Sequence, residues 1–221
     1  MLPTVVLHNA VSADGRTAGF GANLGLFHEI AGRWHEDVTL AGSDTILAAL
    51  RHGPDEAETN EMRQAAAGAR SGVRLAVIDS RGRIKDWRRI KTWPFWDSFL
   101  SISSSATPGQ HLAYLSYQDV DNLTVGERRV DLGQALEAFS NRYGAKTVRV
   151  ESGGTLGGEL LRQGLVNEVS LLLHPLLVGG MSPPTIYRTL ELDADSPVTL
   201  KLLECQKLQD AFVWLRYEVT K

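Results

Sequence analysis

Residues 146–158 read Lys-Thr-Val-Arg-Val-Glu-Ser-Gly-Gly-Thr-Leu-Gly-Gly. The β-branched run Thr147–Val150 meets a small-residue turn, Ser152-Gly153-Gly154, and a helical pattern follows from Thr155 to Gln163. A strand that breaks at glycines and re-enters as a helix aims backbone N–H groups at one point. The helix N-terminus adds partial positive charge there. Glycines lack Cβ atoms, so a bulky anion can approach the backbone. The stretch therefore reads either as a phosphate cradle or as a plain strand-to-helix turn that uses glycine for positive φ.

Two nucleotide fingerprints do not match. The dinucleotide motif G-x-G-x-x-G needs an acid about 20 residues on. Here the glycines fall at 153, 154, 157 and 158, and position 173 is Leu. A P-loop needs Gly directly before Lys-[Ser/Thr], whereas Lys146-Thr147 follows Ala145.

The strands and helices around this stretch set the fold class. Thr4–His8 is a strand reaching Asn9, and Val11–Arg16 a turn containing Asp14-Gly15. Leu26–Trp34 reads as a helix, Val38–Ala41 as a strand and Thr45–Arg51 as a helix with Ser43 as N-cap. Residues 52–72 read as a surface excursion. Val73–Asp79 is a strand followed by a basic turn, Ser80–Arg83. The aromatic group Trp87, Trp93, Phe95 and Trp96 reads as a local core or a subunit interface rather than as a ligand platform. Leu132, Ala135, Leu136 and Phe139 repeat at helical spacing in a helix ending at Tyr143. Glu168–Val178 is a long apolar strand, expected to be buried on both faces. Val198–Gln206 and Ala211–Val219 alternate and form a closing antiparallel hairpin. The alternation predicts one α/β domain over residues 1–221, with a mixed, mostly parallel sheet and helices on both faces.

Composition narrows the function classes. The chain has 221 residues and 43% hydrophobic content, enough for one domain burying roughly 70% of its unfolded surface. A net charge of −3 supplies no global field for nucleic acid. Arg81, Arg83, Lys85, Arg88, Arg89 and Lys91 form a basic stretch that fits a solvated face or an anion rim. One cysteine, Cys205, excludes an internal disulfide and a cysteine-based zinc site. The six histidines have no metal-ligand spacing, so no metal is expected. No apolar run reaches the ~18 residues of a membrane span, and residues 1–8 lack the charged start of a signal peptide. The expectation is a soluble, cytoplasmic protein with no nucleic-acid or membrane partner.

Three groups could carry chemistry. Asn9, Ser12, Asp14 and Arg16 stand at the end of the first strand, where open α/β sheets bind ligands. They equally suit a tight turn. Gly42–Thr45 is a second strand–glycine–helix junction. Asp79–Arg83 follows a strand, where an Arg can pair with a ribose 2′-phosphate or close a charged turn.

Four segments together resemble a known family: Asn9-Ala-Val-Ser-Ala-Asp-Gly-Arg, Gly42-Ser-Asp-Thr-Ile, Glu151-Ser-Gly-Gly-Thr-Leu, and Gly164-Leu-Val-Asn-Glu-Val through Pro175-Leu-Leu-Val-Gly-Gly. They are similar to the pyrimidinone ribosylamine 5′-phosphate reductases of riboflavin biosynthesis, also found as the C-terminal domain of the bifunctional deaminase–reductase. The resemblance runs from residue 4 to about 219. It implies a dihydrofolate-reductase-like three-layer fold, NADPH as hydride donor, a phosphorylated pyrimidine substrate and a homodimer. By matching motif it implies cofactor contacts at Gly42, Thr45, Ser152, Gly153, Gly154, Thr155 and Leu156, with Ser80 and Arg81 near the 2′-phosphate. It places Asn9, Ser12, Asp14 and Glu151 toward substrate, with Asp14 and Glu151 as catalytic candidates and Asp14 as proton donor, directly or through water. Dihydropterin reduction on the same fold, or nucleotide binding without catalysis, are the alternatives. Residues 50–63 depart from the family's Asp-Pro-x-Leu-Thr-x-Arg pattern, Asn167 stands where the family often has Asp, and no zinc-deaminase motif accompanies the chain.

Overall fold

The computed structural model describes residues 1–52, 72–181, 185–187 and 197–220. The chain forms two compact units, Met1–Pro3 with Asp37–Lys146, and Thr4–Glu36 with Thr147–Lys221.

In the first unit the strands are β2 (Val38–Gly42), β3 (Arg74–Ile78), β4 (Ser98–Ser103) and β5 (Asp121–Thr124), while β1 (Thr4–Ser12) belongs to the second unit. They pair in parallel in the order β5-β4-β3-β2. Leu75, Ala76 and Val77 of β3 are buried in succession. That is the signature of a parallel strand covered on both faces. The helices are α2 (Ser43–His52), α3 (Trp87–Ile90), α4 (Gly109–Tyr117) and α5 (Leu132–Tyr143). Ala41, Leu75 and Val77 from the strands pack with Ile46, Trp87, Ile90 and Leu115 from the helices. Trp93 joins this core, and Phe95 and Trp96 pack against it. The aromatic group packs as a local core. Residues 53–71 of the expected surface excursion lie outside the described residues.

Helix α2 begins at Ser43, directly after β2, with no loop between them. Ser43 is therefore the first helical residue rather than the N-cap. Its hydroxyl instead accepts a hydrogen bond from the Arg83 guanidinium at 2.5 Å. Helix α5 follows its expected pattern, with Leu132, Ala135, Leu136 and Phe139 all buried. Asp131 caps its start by accepting from the Gln134 N–H at 2.9 Å.

In the second unit the strands are β1 (Thr4–Ser12), β6 (Thr147–Val150), β7 (Glu168–His174), β8 (Leu200–Lys207) and β9 (Val213–Val219), in the order β6-β1-β7-β9-β8. β1 runs parallel to both β6 and β7, and β9 is antiparallel to β7 and β8. The helices are α1 (Leu24–Ala31) and α6 (Gly154–Arg162). Phe27, Ile30, Leu172 and Trp214 form a core under α1.

The expected strand to Val178 stops at His174, before Pro175, which has no N–H to donate. Its Leu171 and Leu173 are half-buried. The strand buried on both faces is instead β1, flanked by β6 and β7. Asn167 ties the starts of β1 and β7 to the end of β9. Its side-chain oxygen accepts from the Val5 N–H at 2.8 Å, its N–H donates to the Val5 carbonyl, and its carbonyl accepts from Val219. An aspartate could accept the same bond, so the departure at 167 leaves the fold intact.

Trp87 is fully buried at the centre of the first unit's core. Trp87→Ala is expected to cost about 3–5 kcal/mol in urea unfolding. The same change at Tyr117, 83% exposed, is expected to stay within about 0.5 kcal/mol.

Candidate active site

The pairing of β1 with β6 ends at Leu7 and Val150, whereas its pairing with β7 continues to Ser12 and His174. Residues 8–12 thus run past the end of β6, beside the β6–α6 turn. Three of the four predicted polar groups stand on this overhang and its turn. Asn9 is buried and lies against Gly153, where a Cβ built on Gly153 would come within 3.6 Å of the Asn9 amide nitrogen.

The turn after β1 is a hydrogen-bonded hub. The Ser12 hydroxyl donates to Asp14 at 2.6 Å and accepts from the Arg16 N–H at 2.9 Å. The Asp14 carboxylate also accepts from the N–H groups of Val178 at 3.1 Å and Gly179 at 2.8 Å. The Ala13 N–H donates to the Leu176 carbonyl, and Arg16 reaches the Gly180 carbonyl at 2.8 Å. The hydrogen bonds from Ser12, Val178 and Gly179 hold the Asp14 carboxyl well below the usual carboxylate range. Asp14 is therefore ionised at neutral pH and its oxygens are committed to this loop.

The β6–α6 turn has a different occupant from the one its glycines suggest. The Gly154 N–H donates to the Ile186 carbonyl at 2.6 Å. A Cβ on Gly153 would stand 2.7 Å from that same carbonyl, and Gly154 has φ +57°. The close approach that demands glycine is made by the chain's own residues 185–187. Ile186 is held in turn by its N–H to the Gly15 carbonyl, and Tyr187 donates its hydroxyl to Asn9 at 3.5 Å. Thr155 and Leu156 lie in the first turn of α6, whose N–H groups have no partner within the helix ladder.

Glu151 stands at the mouth of a charged group. Arg149 is bound to Glu151 and to Glu36, with 2.9 and 2.7 Å to the latter. The Arg149 and Glu36 side chains are 2% and 0% exposed, and that of Glu151 is 14% exposed. Burial pushes the Glu151 carboxyl up, but Arg149 and then His28 outweigh it and hold it below its ordinary range. Beside this group His8 is buried and neutral. Trp214 Nε1–H donates to Ser170 Oγ at 2.8 Å, and Ser170 faces His8 Nδ1 at 2.9 Å. His8 Nε2 lies 3.0 Å from the Phe27 carbonyl. A carbonyl can only accept, so the proton sits on Nε2 and Ser170 donates to Nδ1.

Arg149, Glu36, His8 and Tyr187 had escaped the sequence reading. Arg149 did carry a signal: a cation inside a β-branched strand, with an acid two residues on and so on the same face. His174, outside the site, uses both ring nitrogens, accepting from the Asn23 N–H and facing the Leu172 carbonyl.

In the first unit, the register Gly42↔Ile78 puts the ends of β2 and β3 side by side. Arg83 fastens them, binding Asp44 at 2.7 Å as well as Ser43. Ser80 is half-buried. Its hydroxyl accepts from the Val130 N–H and its carbonyl from the Thr107 hydroxyl. The turn is tight at Gly82, with φ +64° and a Cβ position 2.6 Å from the His111 ring. Lys85, Arg89 and Lys91 are committed to His111, the Leu50 carbonyl and the Gln118 and Asp119 carbonyls. Arg81 is exposed and makes no ion pair among the described residues. Arg83, Lys85, Arg89 and Lys91 of the basic stretch thus serve as structural ties, while Arg81 and Arg88 face solvent. No cluster of three or more metal-binding side chains occurs among the described residues. No helix there is long and apolar enough to cross a membrane.

The fold is of the dihydrofolate-reductase-like α/β class. Enterococcus faecalis dihydrofolate reductase superposes with a TM-score of 0.50 at 10% identity, covering 99% of this chain and 97% of that one. Acinetobacter baumannii RibD superposes with a TM-score of 0.74 at 21% identity, covering 99% of this chain. The present chain spans 58% of that RibD chain. Within this class, the model of the RibD C-terminal domain matches residues 3–214. The chain belongs to the RibD C-terminal domain family. A relative from Methanothermobacter thermautotrophicus, named 2,5-diamino-6-ribosylamino-4(3H)-pyrimidinone 5′-phosphate reductase, is 31% identical over 192 residues, 84% of either chain.

Two outcomes test this geometry. The His8 ring is held down to about 3 by burial first and then by Arg149, while the unfolded chain protonates at about 6.5. Below pH 6.5 the unfolded state therefore binds the extra proton, and His8 costs stability as pH falls. The stability difference between wild type and His8→Gln is expected to fall by ~1.4 kcal/mol per pH unit between about pH 6 and 4, read by urea unfolding. Gly153→Ala is expected to displace Ile186 and cost about 1–3 kcal/mol; an unchanged unfolding midpoint would show that residues 185–187 do not dock there.

Proposed function

We propose that this chain is an NADPH-dependent reductase that converts the ribosylamino group of a pyrimidinone 5′-phosphate into a ribitylamino group. The observation that carries the reading is the placement of Asn9, Ser12, Asp14 and Glu151 around the overhang of β1 and the end of β6, in a chain of this family. Ligands of open α/β sheets bind at the carboxyl ends of strands. The two units act in this reading as one reductase domain over residues 1–221, as a homodimer in the cytoplasm.

Each unit presents groups whose chemistry suits the phosphates of a dinucleotide. Arg81 is an exposed cation beside a rigid turn, suited to a 2′-phosphate with Ser80 at its side. Gly42 and Thr45 flank the start of α2, whose positive end favours an anion. Around the second junction, Ser152 and Gly153 shape the turn. Gly154 is occupied by Ile186, which leaves Thr155 and Leu156 as the helix-start donors. When bound, the reduced nicotinamide supplies the hydride.

The chain's own groups orient and polarise. Glu151, ionised and anchored, accepts hydrogen bonds from substrate donors. Asn9 offers its amide next to Gly153. Asp14 has no proton to give at neutral pH, so its fitting role is to hold residues 176–180 around the site rather than to act as the acid.

The purified chain, incubated with NADPH and the ribosylamino-pyrimidinone phosphate, is expected to consume the reduced nicotinamide absorbance and yield the ribityl product by mass spectrometry. Turnover only with a dihydropterin would transfer the activity to that substrate class. Cofactor binding without turnover would leave a nucleotide-binding domain. Arg81→Ala is expected to raise the NADPH Kd at least tenfold, about 1.4 kcal/mol, with the NADH Kd unmoved. An unchanged preference would place the 2′-phosphate contact elsewhere.

A further inference from the structure

The charged group behind Glu151 has an uneven composition. One guanidinium, Arg149, faces two carboxylates. The inner one, Glu36, is wholly buried and takes two of the guanidinium's nitrogens. The outer one, Glu151, takes the third and is the only member whose side chain reaches the surface to any extent. A guanidinium has a planar fork of donors with fixed directions, so sharing it between two acids fixes both in place. Thr147–Val150 is an otherwise uncharged strand segment, and burying a cation in it is costly unless the charge is used.

We propose that Arg149 is a positioning residue that keeps Glu151 an oriented carboxylate at the substrate, with Glu36 as the inner counter-ion that locks the guanidinium. The proposal rests on the reading that Glu151 faces substrate. The groups around Glu151 divide by element: Arg149 on β6 just before it, Glu36 after α1, His28 on α1 and His8 on β1. His8 is neutral, which leaves Arg149 as the chief cation setting the state of Glu151. Without it, two buried carboxylates would face each other's charge and one would take up a proton. A protonated Glu151 would offer the substrate a donor where the ionised form offers only acceptors.

Arg149→Met removes the charge and keeps the length of the side chain. The Glu151 carboxyl carbon, followed by NMR in protein labelled at glutamate and assigned with Glu151→Gln, is expected to titrate higher by about one pH unit or more. The acid limb of the kcat/KM profile is expected to rise with it, while NADPH affinity stays within twofold. Arg149→Lys, which keeps charge but cannot fork, is expected to give a smaller rise and serves if the Met variant fails to fold. Glu36→Gln is expected to leave the Glu151 titration at or below its wild-type position. An unmoved Glu151 titration in both Arg149 variants, or a rise in Glu36→Gln, overturns the proposal. So does a shifted titration with an unshifted kinetic limb. If wild type turns over no ribosylamino-pyrimidinone phosphate, the functional reading falls separately, and the NMR titration still decides whether Arg149 governs Glu151.

Discussion

The carboxylate of Asp14 is the tie on which the candidate site of the second unit depends. It gathers one hydroxyl and two backbone N–H groups into a single turn. Hydrogen bonds to an ionised acceptor are about twice as strong as neutral ones, and the two from Val178 and Gly179 join residues more than 160 positions apart. Through Gly15 the same turn holds Ile186, and Ile186 closes over the glycines of the β6–α6 junction. The loop after β7, the segment at 185–187 and the overhang of β1 thus form one connected arrangement. It exists because β1 outruns β6 by several residues.

Behind that arrangement the polar groups are used economically. Arg149 is shared by two acids, and Ser170 both receives from Trp214 and serves His8. Each would be expensive in a core if left unpaired. The Phe27 carbonyl fixes the His8 tautomer and with it the direction of the bond from Ser170, while burial and then Arg149 keep the ring neutral. The result is a charged group set by burial and pairing, with Glu151 as the more exposed of its two carboxylates. The first unit follows a simpler rule. Two parallel strands end side by side, and Arg83 pins the turn after one to the helix after the other.

Much of this was legible in the residues. Alternating strands and helices, the apolar spacing of Leu132 to Phe139 and the closing hairpin follow from periodicity, which is a local property. The motif segments were enough to place the chain beside the reductases of its family. What was misread shares a cause. The strand expected to reach Val178 stops at Pro175, because a missing N–H outweighs an apolar run. Ser43 looked like a cap, but β2 leads into α2 without a loop and Arg83 claims its hydroxyl. At Asp14, read as a proton donor, the bonds from Ser12, Val178 and Gly179 favour the ionised form, and the donors at 178 and 179 follow no local pattern.

The opening stretch at 146–158 shows where the division lies. By itself the sequence determined that a strand ends there and that a helix begins, and it left open whether the glycines serve a close approach or only a positive φ. Those are consequences of β-branching, helical spacing and the geometry of glycine, all set within a few residues. Only the tertiary structure decided what makes the approach: the Ile186 carbonyl, more than 30 residues away in the chain. It likewise decided that Arg149, an odd cation in an apolar strand, is matched by Glu36 from beyond α1. The energy of a buried charge or a filled donor depends on its partner, and partners are brought together by folding rather than by order along the chain.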